Sequence, residues 1–168
     1  MNVAHATHLG RRFVTSLWPG GPSRAGEQWV AGQLLPGELE LWKRMSGADR
    51  RHALGVARRV ECDLGHEASR AVVAAALLHD VGKVAARIGT LRRVAATVVD
   101  PRPGWEDRPG WRRRFALYRD HGRLGADMLS LAESDPLTIA WAAQHHLPPG
   151  RWTLPRPIAD ALKAADDD

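Results

Sequence analysis

Eight histidines are spread over 168 residues, and five of them, His52, His79, His121, His145 and His146, fall at or near the ends of segments that read as helices. Asp80 follows His79 directly, and Asp166 adds a late carboxylate. Imidazole mixed with carboxylate suits Zn, Fe, Mn or Ni rather than Ca. A carboxylate can also bridge two ions, so Asp80, lying between helices, could serve a two-metal centre. The stretch "LLHDVGK" (77–83) concentrates the question. A charged pair at the end of an apolar run is costly unless it is paired or binds a metal. Lys83, one of only three lysines with Lys43 and Lys163, stands one helical turn after Asp80.

The elements that must position these residues read as helices. Pro36 and Gly37 open a short one over "ELELWKRMS", and Ser46 or Asp49 could cap the next, residues 48–64. There Ala53, Val56 and Val60 form an apolar stripe with His52 at its edge. "HEASRAVVAAALLHD" (66–80) is apolar nearly all round after Arg70, the pattern of a buried central helix. Residues 83–100 read as one more helix, and 111–134 as another, with a break expected near Gly122. Asp135 caps a helix over 135–146 with Pro136 at its first position. Residues 158–168 close the chain as a helix. "PRPGWEDRPG" (101–110) and "LPPGRWTLPRP" (147–157) are loops by composition, and residues 1–35 are mixed, with a turn cluster at 18–23. No segment shows the β-branched alternation of a sheet, so the expected class is all-α.

Composition bounds the rest. The chain is long enough for one domain with a real core, and 44% of it is hydrophobic, which suits a globular protein. The longest apolar run, Ala71 to Leu78, falls far short of the roughly 20 residues that span a bilayer, so no membrane partner is expected. Residues 1–30 lack a signal-peptide pattern, and Cys62 is alone, so the expected location is cytoplasmic. The net charge of +5 favours anionic partners such as phosphates, and only weakly nucleic acid.

The ordered set resembles the HD superfamily of metal-dependent phosphohydrolases. "RRHALGVARRV" is similar to its first-histidine helix, "LLHDVGK" to its central motif, and "DHGRLGADML" to the segment of the third histidine, although Gly122 stands where the family often has proline. "AAQHH" and "ALKAAD" resemble the last two motifs. The resemblance covers residues 45–168 and implies an HD-domain helical bundle around a central metal site, with residues 1–44 as a helical extension packed on it. It implies two divalent transition metal ions (Fe, Mn, Ni or Zn): one held by His52, His79, Asp80 and Asp166, the second by Asp80, His121, His145 and His146. For the last aspartate, residues 158, 161, 162 and 165 share one face at about 100° per residue. Asp166 sits at the edge of that face and Asp160 nearly opposite, so Asp166 is the candidate.

HD-GYP proteins, which cleave cyclic dinucleotides, share this ligand pattern, but "LPPGRWTLP" stands where their Gly-Tyr-Pro stretch would be. Ala48 occupies the position where some of them carry a third-metal glutamate. Two ions are therefore expected rather than three, and cyclic di-GMP is not assigned as substrate. The expected activity is hydrolysis of a phosphomonoester or phosphodiester of a phosphorylated small molecule, a nucleotide above all. Two ions ~3.5–4 Å apart can share a water and lower its pKa toward ~7. Asp80 and Lys83 would be the catalytic residues, Lys83 meeting a phosphoryl oxygen. In the 101–114 loop, Trp111 could stack on a base, and Arg112 or Arg113 could meet phosphates. Two rivals stand beside this reading: a di-iron oxygenase using the same ligands, and a non-catalytic module that binds a nucleotide or nucleic acid.

Overall fold

The computed structural model describes residues 20–86 and 104–168. His5, His8, the first part of the 18–23 turn cluster, most of the helix expected over 83–100 and the start of the 101–110 loop lie outside the described residues. Within them the protein is all-α, with no strand.

Among the described residues two helices come first: α1, Arg24–Gln33, and α2, Pro36–Arg44. Residues 24–33 lie in the stretch expected to be mixed, yet Ser23 caps α1 by accepting the Gly26 N–H at 3.2 Å. Glu38 caps α2 from inside, accepting the Leu35 N–H at 2.8 Å, which accounts for its burial. Glu27 ties three helices together. It accepts the Trp42 indole N–H at 2.8 Å and pairs with Arg50 at 3.0 Å. Val30 and Trp42, both fully buried, thereby join the main core.

The long helix α3, Gly47–Leu64, starts at Ser46, whose Oγ accepts the Asp49 N–H at 3.2 Å and donates to Asp49 Oδ2 at 2.6 Å. It ends at Gly65, where φ is +52°, a conformation that favours glycine. That turn and the short 3₁₀ segment Gly65–Glu67 push the start of the central helix α4 to Arg70–Leu78, with Ser69 as cap. The helix therefore begins four residues later than the apolar pattern suggested. Every residue from Val72 to Leu78 is buried, as the run of apolar residues required.

After α4 come the short α5, Lys83–Ala86, then α6, Trp111–Arg119, and α7, His121–Leu131. The break expected at Gly122 falls two residues earlier, at Asp120. Helix α8, Pro136–Gln144, has Asp135 accepting the Leu137 N–H at 2.8 Å and Pro136 in its first turn. Helix α9, Arg156–Asp167, closes the chain. The central α4 packs against α3 and α8, α8 packs on α7, α9 on α3, and α5 on α6. Thr138 pins α8 to α4 by donating to the Ala71 carbonyl at 3.0 Å.

Gly82 shows how closely these elements approach. Its φ is not positive, so it is not required for the turn itself. A Cβ there would run into the His121 carbonyl oxygen and lie 2.6 Å from Gly125 N, all backbone atoms of α7. The reciprocal Cβ on Gly125 would meet Gly82 N at 3.1 Å. Two glycines therefore let the segment after α4 lie directly on the first turn of α7.

Candidate metal centre

The histidines gather where helix ends converge on α3. His79 is the C-cap of α4, His145 the C-cap of α8, and His121 opens α7 just after α6 ends. The last carbonyls of a helix lack intrahelical partners. All three histidines use one. His79 Nδ1 donates to Ala76 O at 2.9 Å, His121 Nδ1 to Tyr118 O at 2.6 Å, and His145 Nδ1 to Ala142 O at 2.9 Å. A carbonyl only accepts, so each Nδ1 carries a proton and each Nε2 points to the interior.

Those Nε2 atoms surround Asp80. Its Oδ1 lies 3.2 Å from His121 Nε2 and 3.7 Å from His145 Nε2, and its Oδ2 lies 3.5 Å from His79 Nε2. His146 Nε2 approaches His121 Nε2 to 2.9 Å. On the other side, Asp166 Oδ1 lies 3.0 Å from His52 Nε2 and 3.5 Å from His79 Nε2. Two groups of ligand atoms result, each spanning no more than 4.8 Å: Asp80 with His121, His145 and His146, and Asp80 with His52 and His79. Asp80 belongs to both. His79, Asp80, His121, His145 and Asp166 are buried. Asp160 lies on the exposed face of α9 and pairs with Arg156 at 2.9 Å.

A cation fits the donor set on two grounds. His79 Nε2 and His145 Nε2 are buried and have no hydrogen-bond partner, an arrangement that leaves polar atoms uncompensated unless a ligand meets them. The field is also strongly negative around His79. Burial by itself would push its pKa down, but Asp80 and then Asp166 outweigh this and carry it up to about 10. Asp166, against its own burial, is held far below the usual carboxylate range by His79 and by the His52 hydrogen bond. Asp80 is likewise held low, by Lys83 and then His79. Burial lowers the pKa of His145, and burial with its neighbours His145 and His121 lowers that of His146 to about 3. These two are therefore neutral imidazoles, the form that binds metal.

Lys83 is ion-paired to Asp80 Oδ2. Burial opposes the charge on its ammonium, but Asp80 outweighs this and raises its pKa. The ammonium also lies 5.8 Å from the Tyr118 ring. Trp111, Arg112 and Arg113 occupy the first turn of α6. Trp111 is 47% exposed and stacks edge-on against Trp105 and Phe115, with the Arg112 guanidinium 4.9 Å above its ring. Arg113 is exposed. Among the described residues no contact joins these three side chains to the Asp80 cluster; Tyr118, further along α6, is the one that reaches His121, with ring centroids 5.7 Å apart.

Sequence reasoning missed the residues that hold the ligands in place. Trp152 folds back over the end of α8, and its indole N–H is shared between Gln144 O at 3.1 Å and Leu147 O at 3.0 Å, the carbonyls flanking His145 and His146. Gln144 is bound in turn to Thr153. The one available signal was a tryptophan set in a proline-rich loop just after a histidine pair.

No helix among the described residues is long and apolar enough to cross a membrane. No curated protein and no solved structure matches the chain. The family model described as the HD domain matches residues 50–167, well over half of the chain and the whole span from His52 to Asp166; the chain belongs to the HD domain family.

Proposed function

We propose that the protein is a metal-dependent phosphohydrolase that cleaves a phosphoric ester of a nucleotide-type substrate with two divalent transition metal ions, Fe, Mn, Ni or Zn. The observation that carries this reading is Asp80, a single buried carboxylate shared by both groups of ligand atoms. The HD family is one of metal-dependent phosphohydrolases, and the His and Asp cluster fits a metal site.

His52, His79, Asp80 and Asp166 would hold one ion, and Asp80, His121, His145 and His146 the other. Bound ions would supply an activated water at neutral pH and neutralise phosphate oxygens. The chain's own residues do the rest. The carbonyls of Ala76, Tyr118 and Ala142 orient three imidazoles, so their Nε2 atoms need no reorientation on binding. Asp80 holds Lys83 at the edge of the cluster, where its ammonium can turn to a phosphoryl oxygen once the carboxylate is committed to metal. The exposed Trp111 face with Arg112 and Arg113 offers a stacking surface and positive charge for a base and further phosphates. It also leaves room for a nucleic-acid end as partner.

The test is elemental analysis of the purified protein, followed by assay of Mn-loaded protein on a panel of nucleotides and phosphodiesters. Release of phosphate or nucleotide product, abolished in Asp80→Ala, is expected. A loaded protein inert across the panel would refute the reading. Oxygen consumption with an organic substrate would put a di-iron oxygenase in its place.

A further inference from the structure

We infer that Arg59 is a positioning residue for the metal centre: its guanidinium grips the last turn of α9 and so sets where Asp166 stands. The inference rests on the proposed function only through the ligand role of Asp166.

Asp166 has an unusual burden. It is one of the two carboxylates of the cluster, and it sits in the last turn of α9, and helix ends fray. Such a turn stays in place only if something holds it. The carbonyls of a last turn have no intrahelical partner, and positive charge is favoured beside them. Arg59 meets both conditions. Its Nε and Nη2 donate to one acceptor, Ala165 O, at 3.1 and 2.8 Å, and its Nε lies 3.7 Å from Asp168 Oδ2. Ala165 directly precedes Asp166, and both are buried.

The sequence spacing places the two grips on one helix face. His52 and Arg59 are seven apart on α3, about two turns, so both side chains face α9. His52 takes the Asp166 carboxylate and Arg59 takes the peptide carbonyl just before it. A side chain fixed at both its head and its backbone can point in only one direction. The neighbouring Arg58 does something else: it pairs with Glu61 at 3.1 Å and lies 3.7 Å over the Trp29 ring. It is therefore a control that removes the same charge from the same helix.

Two measurements on the full chain test this. In metal-free protein, amide hydrogen exchange across residues 162–167 is expected to quicken by about tenfold or more in Arg59→Ala, the low end for a hydrogen bond to a charged group, and not in Arg58→Ala. In Mn(II) titrations, Arg59→Ala is expected to weaken the ion that Asp166→Ala also weakens, by about 10- to 100-fold, the usual effect of a residue that orients a ligand. The double variant Arg59→Ala/Asp166→Ala is expected to bind no worse than Asp166→Ala alone, because Arg59 acts through Asp166. Arg59→Lys keeps one donor and should recover part of the affinity; it also carries the test if Arg59→Ala does not fold. Unchanged exchange in the last turn, or losses that add in the double variant, would overturn the inference. Wild-type protein that binds none of Mn, Fe, Ni or Zn would instead sink the two-ion reading, and the exchange result would then decide the grip of Arg59 by itself.

Discussion

Replacing Gly82 with alanine adds one methyl group at the point where the segment after α4 lies against α7. The new Cβ would collide with the His121 carbonyl oxygen and stand 2.6 Å from Gly125 N. Both obstacles are backbone, so no side chain can swing aside. Restoring ordinary contact, from 3.4 Å upward, requires the two segments to part by at least about 0.8 Å at Gly125 N and by more at the His121 carbonyl oxygen. Overpacking of this kind costs ~1–3 kcal/mol, and with backbone on both sides the upper end applies. For a domain of this size ~3 kcal/mol lowers Tm by about 6–12 °C. The chemical effect should exceed the thermal one. Asp80 lies two residues before Gly82 on one side of the crossing, and His121 opens α7 on the other, their ligand atoms 3.2 Å apart. Metal ligands tolerate about 0.2 Å, so a part of this displacement is enough to spoil the site. Urea or thermal unfolding of metal-free protein, followed by Mn(II) titration, measures both. Gly32→Ala is the control, since a Cβ there meets nothing within 4 Å. In a helix it should stabilise by ~0.5–1 kcal/mol. If Gly82→Ala unfolded like the parent and bound metal as tightly, the close approach of these segments would be refuted.

Three further outcomes are expected. Metal-free protein should be most stable near pH 6.5 and lose stability on either side of it. The folded pKa of His79 is raised to about 10, so its contribution is full below 6.5 and fades as pH climbs through 10. The folded pKa of His146 is lowered to about 3, so stability falls as pH drops below 6.5 and only the unfolded chain takes up that proton. Urea midpoints across pH check this, and a flat profile would contradict it. Trp152→Phe should keep the ring packing on Trp141 but lose the donor to Gln144 O and Leu147 O. A loss of ~1 kcal/mol and about tenfold weaker metal binding through His145 and His146 are expected, read by unfolding and titration. Lys83→Met should retain metal, measured by elemental analysis, and lose about 10- to 100-fold in kcat/KM on a phosphoester, the range of one charge-assisted hydrogen bond.

The fold class was open to reading because several helices announce themselves locally. Ser46, Asp135 and Pro136 mark starts, and the unbroken apolar run from Ala71 to Leu78 could only be a buried centre. Where local marks mislead, the boundaries shift. "HEAS" looks helical, yet Gly65 in its left-handed turn delays α4 to Arg70. Helix α1 was hidden because Gly26 and Gly32 lower its propensity, while Glu27, through Trp42 and Arg50, holds it from outside. Of the candidate site, the residue types and their order were legible, because five histidines, a His-Asp pair and a late aspartate on several helices together make a donor set that suits a transition metal. The support was not. That Nδ1 of His79, His121 and His145 each meets the carbonyl three residues back depends on where a helix stops, which caps decide to within a residue or two. The contacts of Trp152 and Arg59 are products of tertiary packing, and no spacing rule encodes them.

His52 and Asp166 meet across 114 positions of the sequence. A centre assembled over such a span is a checkpoint on synthesis. While the chain is still emerging, the histidines already made are only scattered imidazoles, and the complete set exists only after residue 166 has left the ribosome. An ion that prefers the finished arrangement will then add RT ln(1 + [M]/Kd) to its stability, ~2.7 kcal/mol at a hundredfold excess over Kd. Metal supply would thus govern how long each newly made copy survives as well as how fast it works.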